Sequence, residues 1–174
     1  TEGLGIEGAR VTLRGLVLRA EGQTGQYCYA LVGRDCTLED VESYSAGSFR
    51  AFAFFGGRNV RAFRSTFDAR ANAGSGNHRA FVIIDSDIGA VHLEDCVFYG
   101  GGGPSSSHGF MFQAPGNHGG TATLLRCRGY GGPAYNSTGL NLSPTATELL
   151  VKDCIGVGGA SGDECYGIWF TPLS

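Results

Sequence analysis

The sequence predicts an all-β solenoid, a single-stranded parallel β-helix of about six coils. Two short sequence patterns recur in alternation along the chain, and glycine is abundant, with 30 residues among 174. No segment shows the apolar period that is typical of a helix. Repetition at intervals of about 20 to 50 residues indicates an architecture in which each unit buries its apolar face by stacking on its neighbours.

The first pattern is an apolar residue, two polar or small residues, and then a small or apolar residue. Its copies begin about 25 to 31 residues apart and are Leu13–Leu16, Leu38–Val41, Phe63–Thr66, Leu93–Cys96, Leu124–Cys127 and Val151–Cys154. Each copy is short, rich in residues that favour β-structure, and bounded by Gly, Ser, Asn or Asp. These features are typical of short strands joined by turns.

The second pattern is a run of alternating apolar residues that lies between the copies of the first. Its copies are Tyr29–Leu31, Phe52–Phe54, Phe81–Ile83, Phe110–Phe112, Leu140–Leu142 and Ile168–Phe170. The two series drift together in spacing, as they would if loops of variable length joined a fixed frame of strands. We therefore expect equivalent residues to lie directly over one another, at about 4.8 Å per coil.

Composition limits the classes of function. Hydrophobic residues make up 42% of the chain and charged residues 17%, which is typical of a packed domain. The net charge of −3 gives no basic surface for nucleic acid. The sequence contains no apolar run long enough for a membrane-spanning helix. We expect residues 1–174 to form one β-helix domain, as a segment of a larger protein.

Copies such as LEDCVFYG and VKDCIGVGG resemble the coils of right-handed parallel β-helices of the pectate-lyase-like superfamily, which includes polysaccharide-processing enzymes and viral tailspikes. The resemblance covers nearly the whole chain. It implies three short strands per coil, with the first pattern spanning two of them around a tight turn. It also implies an extracellular or virion-surface location and a structural ladder of hydrogen-bonded turn residues, namely Asp40, Ser65, Asp95 and Asp153.

The second pattern is then the first strand of each coil. Because side chains alternate along a strand, its outer apolar residues point inwards and its central residues point outwards. The residues expected inside are Phe52, Phe54, Phe81, Ile83, Phe110, Phe112, Leu140, Leu142, Ile168 and Phe170. Those expected outside include Val82, Met111, Asn141 and Trp169, flanked by the small residues Ala80, Gly109, Gly139 and Gly167.

This outer face is unusually apolar for a surface that meets solvent. A contiguous apolar face indicates a partner or a ligand, and small residues allow close approach to the backbone. The resemblance implies that the same face forms the floor of a polysaccharide groove or a contact between subunits. The alternative is a long loop of the same chain that folds over the sheet.

Cys96, Cys127 and Cys154 occupy one position in three successive coils. We expect them to form an inward ladder of free thiols, since buried cysteine behaves as a small hydrophobe. The chain has no CxxC or HExxH motif, so no zinc site is expected, and no cofactor is predicted.

Two groups of residues are candidates for catalysis. His78 and His108 lie just before first strands on adjacent coils, with Arg79 beside them, and together they would line a groove wall as sugar ligands or as a base. Asp85 and Asp87 lie at i and i+2 on an extended segment, with their Cα atoms roughly 6.5–7 Å apart. That spacing suits the carboxylate pair of a glycosidase, a cation site or a solvated turn. The polygalacturonase signatures NTD, DD, GHG and RIK are not intact in this sequence.

These observations lead us to expect an extracellular carbohydrate-recognition β-helix from a viral tailspike, a fibre or a secreted surface protein. Aromatic and apolar platforms suit sugar faces, while polar neighbours supply hydrogen bonds. One alternative is a polysaccharide lyase or glycoside hydrolase, and another is a structural fibre module that forms a homotrimer. The predicted glycan-binding residues are Trp169, Met111, Val82, Asn141, Arg50 and Arg58.

Overall fold

The computed structural model describes residues 4–21, 29–47, 50–55, 59–72, 76–84, 89–113, 120–143, 148–160 and 164–170. This part of the chain contains nineteen strands and no helix, and the strands form three sheets. Every strand pairs in parallel with the equivalent strand of the next coil, as β10 (Asn77–Ile84) does with β13 (Ser106–Gln113). The fold is therefore a parallel β-solenoid with three strands per coil, which confirms the predicted fold class.

The chain passes through the three sheets in turn. Sheet A contains β1 (Leu4–Glu7), β4 (Tyr29–Val32), β7 (Arg50–Phe55), β10, β13, β16 (Asn136–Ser143) and β19 (Glu164–Phe170). Sheet B contains β2 (Thr12–Arg14), β5 (Cys36–Glu39), β8 (Val60–Phe63), β11 (Ala90–Glu94), β14 (Thr121–Leu125) and β17 (Glu148–Lys152). Sheet C contains β3 (Val17–Ala20), β6 (Glu42–Ser45), β9 (Thr66–Asp68), β12 (Val97–Tyr99), β15 (Arg128–Tyr130) and β18 (Ile155–Val157).

The interior is filled by stacked apolar side chains. Phe81 pairs in register with Phe110, and Phe110 with Leu140, as the stacking prediction requires. The Phe81 ring lies 5.9 Å from that of Phe110 and 4.4 Å from that of Phe67, between centroids. Each fully buried ring of this kind contributes about 1.5–3 kcal/mol. For Phe52 and Phe54, only the backbone of β7 is described.

Fewer coils have a fully buried core than the six coils that the sequence predicts. Residues of the inner coils are fully buried, whereas β2 and β17, in the first and last coils, contain only half-buried and exposed residues. About four turns therefore have a complete core, compared with the six that were expected.

A tight turn joins sheet B to sheet C in each coil. One residue of every turn has a left-handed backbone with φ between 46° and 61°. These residues are Gly15, Asp40, Arg64, Asp95, Arg126 and Asp153. The predicted ladder position of Asp40, Asp95 and Asp153 is thus confirmed.

Ser65 does not belong to this ladder, and that prediction is wrong. The strand register pairs Ala62, not Phe63, with Leu38, so the turn residue is Arg64 and Ser65 points into the core. A slip of one residue reverses which face every side chain occupies. Phe63 is half-buried on the outside, where its ring packs 5.5 Å from that of His92.

Ser65 instead occupies the cysteine column. Its Oγ donates a hydrogen bond to the Phe63 carbonyl oxygen at 2.8 Å and accepts one from the Val41 N–H at 3.1 Å. Cys154 Sγ likewise donates to the carbonyl two residues before it, and it accepts from the Cys127 N–H at 3.4 Å. The predicted inward ladder of free thiols is confirmed for Cys96, Cys127 and Cys154.

Arginines of the turn ladder bind acidic residues of the preceding coil. Arg64 Nε donates to Asp40 Oδ1 at 2.8 Å, and Arg126 Nε donates to Asp95 Oδ1 at 2.8 Å. These hydrogen bonds hold the pKa of both carboxyl groups below its usual range. The charged turns therefore link neighbouring coils, which is the structural role that was predicted.

Candidate functional site

The small residues of sheet A face inwards, and not outwards as predicted. Ala80 is fully buried in the core. A Cβ atom on Gly109 would lie 2.6 Å from the Gly139 carbonyl oxygen and 2.8 Å from the Tyr130 nitrogen. Small residues are therefore needed where sheet A approaches the backbone of sheet C. They do not form a surface that a ligand can reach.

Two columns of side chains form the outer face of sheet A. Along β16, Ser137 points into the corner between sheets, where its Oγ donates to the Gly132 carbonyl oxygen at 2.8 Å, so its neighbour Thr138 points outwards. The rings of Tyr166 and Trp169 lie 4.2 Å apart between centroids, which places both columns on one side of the sheet. The columns are Arg79–His108–Thr138–Tyr166 and Val82–Met111–Asn141–Trp169.

This face is covered over β10 and, in the column that begins at Arg79, as far as β16, and it opens towards β19. Val82 on β10 has no exposed surface, His108 on β13 is 4% exposed and Thr138 on β16 is 1% exposed, although all three lie on the outside of the sheet. Met111 and Asn141 are half-buried, and Trp169 is 38% exposed. Over β10 the burial favours the alternative in which the chain itself covers the sheet, while the open end presents an aromatic pair.

Two buried polar atoms on this face have no hydrogen-bond partner among the residues that the structure describes. They are His108 Nδ1 on β13 and Asn141 Oδ1 on the neighbouring strand β16. A buried polar atom without a partner costs about 1–3 kcal/mol, and a ligand that supplies the missing hydrogen bond would remove that cost. Along the strand direction the two residues lie roughly 10 Å apart.

His108 is held in its neutral form at physiological pH. Burial, followed by the positive charge of Arg79 on the adjacent strand, lowers the pKa of His108 to about 4. A neutral imidazole offers one donor and one acceptor nitrogen. A hydroxyl group, which also donates and accepts a hydrogen bond, matches it chemically, but at 4% exposure the ring lies beneath the covered part of the face.

The structure brings together only some of the predicted catalytic residues. Arg79 pairs in register with His108 and, through its backbone, with Arg50. His78 lies on the opposite side of the sheet, fully buried, and a Cβ atom on Gly103 would lie 2.9 Å from its Nε2. The two histidines therefore do not line one wall.

Asp85, Asp87 and Arg58 lie outside the described residues, as does the side chain of Arg50. Their predicted roles in catalysis or in glycan binding stay predictions.

Thr138 and Tyr166 are members of the outer face that the sequence analysis did not identify. The signal was present, because each member of their column directly precedes one of the small residues Ala80, Gly109, Gly139 and Gly167. The small residues and the apolar residues that follow them both point inwards, so the strand is locally irregular. Simple alternation therefore placed the small residues on the outer face, where the residues that precede them in fact lie.

Within the described ranges, no three His, Cys, Asp or Glu side chains converge as the ligands of a metal ion would. The same residues include no helix of the length and apolarity that crossing a bilayer requires.

Comparison of the chain with protein-family models, with curated proteins and with solved structures finds no match in any of the three. Of the features that the resemblance to pectate-lyase-like proteins implies, the structure therefore establishes the parallel β-solenoid.

Proposed function

We propose that this protein is a carbohydrate-recognition β-solenoid and that it binds a glycan on the outer face of sheet A, where β13, β16 and β19 lie side by side. The observation that carries the proposal is a combination on one face. Asn141 Oδ1, a buried polar atom with no hydrogen-bond partner among the described residues, lies on the same side as the Tyr166–Trp169 aromatic pair.

Sugars match this combination chemically. The apolar face of a sugar ring packs on an aromatic ring, and its hydroxyl groups pair with a small number of placed polar atoms. Trp169 supplies exposed aromatic surface, and the half-buried Met111 extends the apolar floor towards His108. Val82 lies beneath the covered end of the face, so we place the binding surface at the open end.

Membership of the pectate-lyase-like superfamily and an extracellular or virion-surface location form part of the same proposal. Proteins of that superfamily use the equivalent face as the floor of a polysaccharide groove. The predicted contributions of Arg50 and Arg58 at the margin of the face remain predictions.

Calorimetric titration with a panel of neutral and uronic-acid oligosaccharides tests the proposal. Trp169 is the single tryptophan of the chain, so a ligand on this face should also change the tryptophan emission. We expect Trp169→Ala and Asn141→Ala to weaken binding at least tenfold. The matched control is Leu150→Ala, which removes an apolar side chain that is 52% exposed on sheet B.

Either of two results would refute the proposal: no oligosaccharide of the panel binds, or Trp169→Ala binds as tightly as the original chain. Release of reducing ends or unsaturated uronates from the same panel would identify a hydrolase or a lyase. Measurement of the molar mass in solution tests the homotrimer.

A further inference from the structure

A second aromatic site lies on the outer face of sheet C. Tyr99 of β12 and Tyr130 of β15 pair in register on adjacent coils, and their rings stack with centroids 5.0 Å apart and planes 11° apart. The guanidinium carbon of Arg70 lies 4.2 Å from the centroid of the Tyr99 ring. Arg70, Tyr99 and Tyr130 therefore form a continuous stack over successive coils.

A cleft of about 330 Å³ opens beside this stack. Its other walls are Asn72, Pro133 and the glycine backbone of the two turns that follow β12 and β15. Ligand pockets usually have volumes of about 300–1,000 Å³, so the cleft has room for one or two sugar rings.

Hydrogen bonds within the chain hold two side chains of the cleft, Asn72 and Arg70. Asn72 is fully buried, and its Nδ2 donates to Ser45 Oγ at 3.1 Å. Arg70 Nη2 donates to Asp68 Oδ2 at 2.6 Å, and Asp68 is itself buried. A pocket held in this way loses little entropy on binding.

Electrostatics in the cleft favour an uncharged ligand. Asp68 neutralises Arg70, which is the cation of the lining, and the hydrogen bond between them raises the pKa of Arg70. An anionic sugar would have to compete with a carboxylate that already binds the guanidinium group. Among the described residues that line the cleft, none therefore offers it a free positive charge.

The chemistry of the lining favours a polyhydroxyl ligand over a planar aromatic one. Tyr99 has one ring face on Arg70 and the other on Tyr130, so an aromatic ligand finds no open face there. What the cleft presents is ring edges, phenol groups and glycine peptide groups. Phenol and peptide groups both donate and accept hydrogen bonds, as sugar hydroxyls do.

We propose that this cleft is a neutral-sugar site, separate from the glycan surface on sheet A. The two sites lie on different sides of the solenoid, since Tyr99 and Tyr130 face outwards from sheet C and Trp169 from sheet A. Binding at the cleft does not depend on the sheet A proposal, and the two sites can be tested one at a time.

The test uses the full chain with Trp169→Ala, which removes both the proposed sheet A platform and the only tryptophan. Isothermal titration calorimetry of this variant then reports binding at the cleft. Titration with neutral oligosaccharides, and with uronic-acid oligosaccharides in parallel, should show binding of the neutral set alone. Adding Tyr99→Phe and Tyr130→Phe together should weaken that binding at least fivefold, because the phenol groups are lost while the ring stack is kept.

The matched control is Tyr135→Phe, which alters a tyrosine that is 56% exposed and lies outside the cleft. It should leave the affinity unchanged. The proposal is overturned if no neutral sugar binds in the Trp169→Ala background, if uronic-acid sugars bind as well as neutral ones, or if the double phenylalanine variant binds normally. Circular dichroism and thermal unfolding of each variant establish that the chain is folded in these measurements.

Discussion

Acidification from pH 7 to pH 5 should destabilise the folded protein through His108. The pKa of this imidazole is about 4 in the folded state, compared with 6.5 for an unperturbed histidine. The unfolded chain therefore takes up the proton as the pH falls through 6.5, while the folded chain takes it up only near 4. The part of the stability that depends on a neutral His108 is fully present above pH 6.5 and is lost as the pH falls below it.

The magnitude follows from the two pKa values. A difference of one pKa unit corresponds to about 1.4 kcal/mol, so the complete effect is about 3 kcal/mol. Between pH 7 and pH 5 the linkage relation gives a loss of about 2 kcal/mol. That loss would be a large part of a typical total stability of about 5–15 kcal/mol.

Urea unfolding at pH 7, 6 and 5 measures this loss, and His108→Gln provides the comparison. The original chain should lose about 2 kcal/mol over this range, and the variant should lose much less because glutamine does not titrate. His92→Gln is the control, since His92 is half-buried beside Glu94, and it should keep the steep dependence of the original chain. Equal slopes for the original chain and His108→Gln would refute the reasoning.

Three further predictions concern the frame of the solenoid. Gly109→Ala should lower the free energy of unfolding by about 1–3 kcal/mol or more, because the new Cβ meets rigid backbone; Gly5→Ala, which meets no atom within 4 Å, should have little effect in the same urea titration. Arg126→Gln should flatten the loss of stability as the pH falls below about 4, since the hydrogen bonds from Arg126 lower the pKa of Asp95 and the stability that this carboxylate contributes is lost as it protonates. Unchanged slopes of the unfolding curves from pH 4 to pH 2 would contradict this. Cys165 is exposed and should react quickly with a thiol reagent in the native protein, whereas Cys127, whose pKa is raised and which is buried, should react only on unfolding; mass spectrometry of modified peptides distinguishes the two sites.

Sequence repetition predicted the stacking because like residues fill like positions along the axis. Phe81, Phe110 and Leu140 recur at nearly constant intervals, and the structure places them in one column. The predicted register failed at Ser65, where the apolar Phe63 was assigned the inward position that Ala62 occupies. Both residues are apolar, so composition alone could not decide which of them points inwards.

The candidate site was harder to predict than the frame. The sequence indicated Trp169, Met111 and Asn141 on the outer face, and the strand register places them in one column. Simple alternation could not show that the glycine column turns inwards, because that depends on how closely sheet A approaches sheet C. Nor could it show that Val82, on the outer face, is fully buried.

The equivalence of Ser65 and the ladder cysteines bears on how such a chain can change in length. At the corners of Ser65 and Cys154 the side chain makes one hydrogen bond within its own coil and one with a neighbouring coil, so a hydroxyl and a thiol can fill the same position. Because a hydroxyl and a thiol make the same pair of contacts, a coil with either residue at this corner can stack on its neighbours without a mismatched hydrogen bond. Growth by single coils is therefore compatible with the chemistry of the corner, so the number of coils can vary while the shape of the cross-section stays the same.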